Sequence, residues 1–220
     1  MIREATKRRV ETIIKLLQEE YPRNKIALKF SDPLELLVST ILSAQCTDER
    51  VNRATKVLFK KYKDIKDYAR ADFKKFEEDI RPTGFYRNKA KNIINASQQI
   101  TNRFKGKVPQ TMKELLTLPG IGRKTANIIL TFAFGKIEGI VVDTHVIRLS
   151  KRIGLSKNDN PEKIEQDLMK IIPKNHWKDF SSLLMEHGRK ICLARKPICE
   201  SCVLKYICPS FYFFMKRKPI

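Results

Sequence analysis

Four cysteines stand within seventeen consecutive positions late in the chain, as Cys192-x6-Cys199-x2-Cys202-x5-Cys208. A chain can keep four thiols that close only by wrapping short loops about a shared centre or by tying them in pairs. Disulfides are the weaker choice. The opening stretch 1–21 is charged and amphipathic, with no apolar leader, so nothing suggests secretion. The spacing alone accommodates a structural zinc held by four thiolates or an iron–sulfur cluster held by the same four. The fifth cysteine, Cys46, stands apart and reads as a small buried residue.

Apolar spacing sets the fold class. Val10, Ile13, Ile14 and Leu17 form one stripe of a first helix with lysines and arginines opposite, and Pro22 ends it. Asp32-Pro33-Leu34-Glu35 is a helix start, with a cap candidate, proline at the first position and an acid in the first turn. The helix over 34–44 is nearly all apolar and must be buried. Thr47 or Asp48 caps the next, over 50–62. Ala90, Ile93, Ile94, Ile100 and Phe104 continue a long amphipathic helix that Gly106-Lys107-Val108-Pro109 breaks, and a short helix over 112–116 follows. Later helices are expected over 144–153, from Pro161 to Pro173, and over 177–190. No stretch alternates as a strand does, so the expected fold is all-α.

Charge narrows the partner. Lys and Arg number 45 against 24 Asp and Glu, a formal +21, which points to a polyanion. A membrane fits less well. No apolar run approaches the roughly 20 residues that span a bilayer, and the basic residues are not gathered on one helix with an aromatic or leucine face. The expected location is intracellular, in the cytoplasm at the nucleoid.

The stretch 118–143 carries the chemistry. Leu118-Pro119-Gly120-Ile121-Gly122 is a turn in which glycines permit positive φ and close backbone approach. A helix follows at once, and its free N–H groups behind a Gly-x-Gly turn make a phosphate site. Its first turn holds Arg123 and Lys124, where the positive end of the helix dipole disfavours cations. Nineteen positions beyond Lys124, Asp143 closes the apolar run Ile140-Val141-Val142 just before another helix. Taken singly, the turn is a connector, Lys124 a surface lysine and Asp143 a helix cap. Gln45 at the end of a buried helix, and Phe85 in the turn Arg81-Pro82-Thr83-Gly84-Phe85-Tyr86, likewise have plain structural readings. Arg195 and Lys196, between the first two clustered cysteines, either meet a phosphate backbone or offset the charge of a metal site.

Taken together these segments resemble the helix-hairpin-helix–GPD DNA glycosylases, and most closely the endonuclease III family. Leu118 to Ala126 is similar to that family's hairpin and Val142-Asp143-Thr144-His145-Val146 to its catalytic aspartate segment, and the resemblance runs from about Asp32 to Pro209. It implies a six-helix barrel with the helix-hairpin-helix motif over 25–136 (hairpin 118–122). It also implies a discontinuous helical cluster domain built from 1–24 with 137–220, the DNA lying between the two. It favours a [4Fe–4S] cluster at Cys192, Cys199, Cys202 and Cys208 over zinc. By the same resemblance Lys124 is the nucleophile and Asp143 the essential carboxylate. Gln45 fills the gap left by an extruded base, and the Gly84-Phe85 loop supplies an apolar wedge. Leu118, Gly120, Gly122 and Arg123 join Arg195 and Lys196 as DNA contacts.

The implied activity is base excision repair by a monomer acting on damaged duplex DNA. An oxidised pyrimidine is removed through a lysine Schiff base, and the abasic site is nicked by β-elimination. Two rivals remain at this point: a mismatch-specific monofunctional glycosylase on the same fold, whose relatives lack the lysine, and a non-enzymatic iron–sulfur protein that binds DNA or senses redox state.

Overall fold

The computed structural model describes residues 2–22 and 26–216, so the expected domain boundary at residues 24–25 lies outside the described residues. Every regular element among them is helical. Twelve α-helices run in chain order: α1 (Ile2–Glu20), α2 (Pro33–Leu42), α3 (Asp48–Lys61), α4 (Ile65–Ala69), α5 (Phe73–Ile80), α6 (Tyr86–Arg103), α7 (Met112–Leu115), α8 (Arg123–Phe134), α9 (Thr144–Arg152), α10 (Pro161–Ile171), α11 (Trp177–Lys190) and α12 (Phe211–Met215). None is long and apolar enough to cross a membrane. The chain forms two compact units. One is Ile26–Glu138; the other joins the chain before it to the chain from Gly139 onward.

In Ile26–Glu138 the apolar helix α2 is buried from Leu36 to Leu42. Asp32 caps it, accepting from Glu35 N at 2.8 Å, and Pro33 occupies its first turn. It packs on α8, while α4 and α5 pack on α6. Leu36, Leu37, Phe76, Ile80, Ile93, Ile100, Leu115 and Ile129 are fully buried in this core, each worth about 2 kcal/mol of apolar transfer. Helices α4 and α5 were not legible as such in the sequence, being only five and eight residues long. Asp64 and Asp72 start them by accepting from backbone N–H groups, and Tyr68 and Phe76 anchor them.

The second unit is built on the stripe of α1. Val10, Ile13, Ile14 and Leu17 are buried with Val146 and Leu149 of α9, Ile164 and Leu168 of α10, and Phe180, Leu183 and Leu184 of α11. Helix α11 packs against both α9 and α1. This fixes α9, and with it the residue at its cap, against the helix that runs into the cysteine-rich loops.

Candidate functional site

The hairpin of the first unit grows out of tight turns. Leu118 N donates to Leu115 O at 3.1 Å and Ile121 N to Leu118 O at 3.2 Å, and Ala126 N then starts α8 by donating to Gly122 O at 2.9 Å. The two glycines differ. Gly120 has φ +77°, and a Cβ there would meet the Asn92 side chain of α6 at 2.9 Å. Gly122 has an ordinary φ of −94° and open space where a Cβ would go. The sequence reading gave both the same backbone role; only Gly120 has it. Gly122 caps α8 with no side-chain hydrogen bond of its own. Leu118 is a buried core residue, which leaves only its backbone for an external partner. Lys124 stands exposed in the first turn of α8. Arg123 is half-buried.

Two further tips of the same unit carry strained backbone. Gln45, exposed beyond the end of α2, has φ +52°, and Phe85, 63% exposed before α6, has φ +47°. The left-handed region costs such residues about 1–2 kcal/mol each. Among the described residues only one other non-glycine, Lys105, has positive φ. Gly84, with φ +68° and ψ 160°, holds a conformation open only to glycine and turns the chain into Phe85. At that exposure the Phe85 ring is not part of the core, whereas Tyr86 does pack on it. Cys46 is half-buried rather than buried.

In the other unit Asp143 does what its local sequence asks. It is half-buried, and its Oδ1 accepts from His145 N at 2.8 Å and Val146 N at 2.9 Å to cap α9. Oδ2 has no hydrogen bond among the described residues, so one carboxylate oxygen remains for chemistry. One turn into α9, Arg148 donates from Nε to Cys192 O at 3.2 Å and from its terminal nitrogen to Gly188 O at 2.9 Å, with His145 Nδ1 3.0 Å away. Burial, reinforced by Arg148, lowers the His145 pKa although Asp143 pulls the other way.

The four clustered thiols are free and line a single pocket with Arg152, His187 and Phe214. Short turns deliver them: Cys192 N donates to His187 O at 2.8 Å, Cys202 N to Cys199 O at 3.2 Å, and Phe211 N to Cys208 O at 3.1 Å. Burial pushes the Cys202 thiol up to about 11, and burial together with the neighbouring sulfurs raises Cys199 and Cys208. Thiols that oppose one another's ionisation in one pocket are a donor set for a cationic centre, which reverses that penalty. Among the described residues no three His, Cys, Asp or Glu side chains are grouped to hold a single ion. Burial pushes His187 down to about 4, leaving it neutral, with Tyr21 Oη 2.9 Å from Nδ1 and Cys202 Sγ 3.3 Å from Nε2. A proton on Nε2 lets the ring donate to the sulfur while Tyr21 donates to Nδ1. Arg195 and Lys196 are exposed on the loop between the first two cysteines.

One residue with a clear structural part escaped the sequence reading. Lys89, a lysine in the first turn of α6, is only 4% exposed. The available signal was periodicity: Tyr86, Lys89, Ala90 and Ile93 lie on one face of α6.

With this geometry in hand, comparison with known proteins is direct. The HhH-GPD superfamily of base excision DNA repair proteins matches residues 38–174. Endonuclease III of Synechocystis sp. is 52% identical over 204 residues, 93% of each chain. Among solved structures, the chain is similar to endonuclease III in a non-covalent complex with DNA, with a TM-score of 0.91 and 40% identity over 96% of this chain and 99% of that one. It is equally similar to endonuclease III trapped as a covalent intermediate on DNA, with a TM-score of 0.90 and 40% identity over 95% and 98%.

Proposed function

Because the chain belongs to the HhH-GPD superfamily of base excision DNA repair proteins and, within it, to the endonuclease III family, we propose that it is a bifunctional DNA glycosylase and abasic-site lyase acting on oxidised pyrimidines in duplex DNA. The observation that carries this reading is an exposed amine, Lys124, in the first turn of α8 directly behind a Gly-x-Gly hairpin whose helix amides have no side-chain cap. A monofunctional glycosylase has no use for a nucleophile there, and a purely regulatory protein has none either. The covalent trapping of a 40% identical relative on DNA supports the same chemistry.

The damaged nucleotide is extruded, because C1′ cannot be reached within the stack. The neutral Lys124 Nζ forms a bond to C1′ as the bond from C1′ to the base nitrogen breaks, and the base leaves with that electron pair and takes up a proton. The sugar ring opens to a protonated Schiff base between Nζ and C1′. Loss of a C2′ proton then expels the 3′ phosphate and cuts the strand. The Asp143 carboxylate takes the lysine proton or offsets the positive charge that develops on the sugar. Amides at the start of α8, with Arg123, Arg195 and Lys196, hold phosphates. Gln45 and Phe85 enter the base stack, Gln45 offering a donor and an acceptor to an orphaned base.

Cys192, Cys199, Cys202 and Cys208 hold a [4Fe–4S] cluster in this reading. Four thiols around one pocket, with no tight three-ligand group among the described residues, suit a centre of several irons better than one zinc, whose thiolates converge to about 2.3 Å of a single ion. When bound, the cluster supplies a redox-active cross-link between the loops, and no step above passes through it.

Borohydride trapping tests the proposal on a duplex with one thymine glycol and, beside it, a duplex with one abasic site. A covalent product with both, absent in Lys124→Ala, is the expected result. No adduct with either, despite tight binding, overturns it.

A further inference from the structure

The tips at Gln45 and Phe85 lie about forty residues apart in sequence, and a single buried side chain ties them together. Lys89 Nζ donates to Leu42 O at 2.8 Å and to Thr83 O at 2.8 Å. Leu42 is the last residue of α2, three positions before Gln45, and Thr83 precedes Phe85 by two. The Lys89 backbone N–H also donates to Phe85 O at 3.2 Å, the first turn of α6. One residue therefore holds the carbonyl framework beneath both strained tips.

The arrangement is an expensive one. Lys89 lies in the first turn of α6, where the helix dipole disfavours a cation, and burial lowers its pKa, although Cys46 pulls the other way. Leu42 O repays part of this, since the C-terminal carbonyls of a helix are short of donors and carry partial negative charge. A buried apolar residue on this face of α6 would pack with Ala90 and Ile93 at less cost. What only the ammonium does is bond two carbonyls at once across two loops.

We infer that Lys89 is a positioning residue that fixes the spacing of the Gln45 and Phe85 tips so that both enter a base stack together. This rests on the reading of those tips as duplex contacts given above. Lys89 touches neither the substrate nor the reacting atoms. Its effect should therefore appear only where paired strands must be parted.

The experiment compares single-turnover cleavage of an abasic site in a duplex and in the same strand alone. Lys89→Met keeps the length of the side chain and removes its donors. It is expected to slow the duplex reaction about 10-fold or more, as a misplaced contact of 1 Å does, and to leave the single-strand reaction within about 2-fold. Gln45→Ala and Phe85→Ala are expected to slow the duplex reaction as well. The Lys89→Met/Phe85→Ala double variant should be little slower than the worse single one. Equal slowing on both substrates, or none on either, overturns the positioning role. A normal Lys89→Met beside defective tip variants overturns that role alone, while unaffected Gln45→Ala and Phe85→Ala overturn the reading of the tips themselves. Should Lys89→Met not fold, Lys89→Gln, which reaches only one carbonyl, is measured in the same way with the same expectation.

Discussion

Arg152 lies with one guanidinium nitrogen 3.4 Å from Cys192 Sγ, and the same nitrogen donates to Leu193 O at 2.7 Å. The other terminal nitrogen donates to Ala194 O at 2.7 Å, and the guanidinium stacks 4.6 Å from the Phe214 ring centroid. A residue at the end of α9 thus braces the loop that presents the first thiol, and does so with a charge opposite to that of a thiolate. Arg152→Met keeps much of the stem and loses all three bonds. It is expected to lower stability by about 2–3 kcal/mol, since bonds from a charged donor are worth more than neutral ones but this site is partly exposed. Iron content and visible absorbance of the purified protein should fall with it. A variant with full iron and unchanged melting would show the brace to be dispensable.

Lys124 offers the sharpest separation of binding from chemistry. It is exposed and has no packing role, so Lys124→Gln should melt within about 0.5 kcal/mol of the parent. Affinity for an abasic-analogue duplex is expected to change no more than a few-fold. Strand cleavage should fall by about 10³-fold or more, as removal of a nucleophile does. Cleavage retained within 10-fold of the parent would assign the nucleophile elsewhere.

How much of this was legible beforehand follows from the length of the signals. Val10, Ile13, Ile14 and Leu17 repeat with helical period over two turns, and Asp32-Pro33 marks a helix start by capping chemistry, so both were readable and both hold. Helices α4 and α5 were missed because five and eight residues carry too little periodicity; each buries only two residues, Ile65 and Tyr68 in α4, Phe76 and Ile80 in α5. Gly120 and Gly122 look alike in sequence, since what separates them is the approach of Asn92 from a distant helix. Lys89 was hidden for a similar reason. Its partners are backbone carbonyls, which leave no trace in side-chain identity, and one of them is 47 residues away.

Asp143 has two duties that substitution can part. Asparagine caps a helix about as well as aspartate, so Asp143→Asn should preserve the bonds to His145 N and Val146 N and melt within about 0.5 kcal/mol of the parent. Asp143→Ala loses both and should cost about 1 kcal/mol. If the carboxylate serves the reaction through its charge, base excision should drop in both variants by roughly 10²-fold or more. Asp143→Asn with near-normal excision would reduce the residue to a cap.

The hairpin glycines should respond in opposite ways to one added methyl. At Gly120, alanine must adopt a φ of +77° and place its Cβ 2.9 Å from the Cβ of Asn92, a contact that no flexible side-chain end can relieve. Gly120→Ala is expected to cost about 2 kcal/mol or more in thermal or urea unfolding, from strain and crowding together. At Gly122 the backbone is ordinary and the space open, so Gly122→Ala should leave stability within about 0.5 kcal/mol. That open space lies at the cap of α8, where a phosphate would approach the start of the helix. A methyl group there should weaken duplex binding several-fold while the protein melts normally. Binding that stays at the parent level in Gly122→Ala would mean that the start of α8 is not where the backbone of the DNA is held.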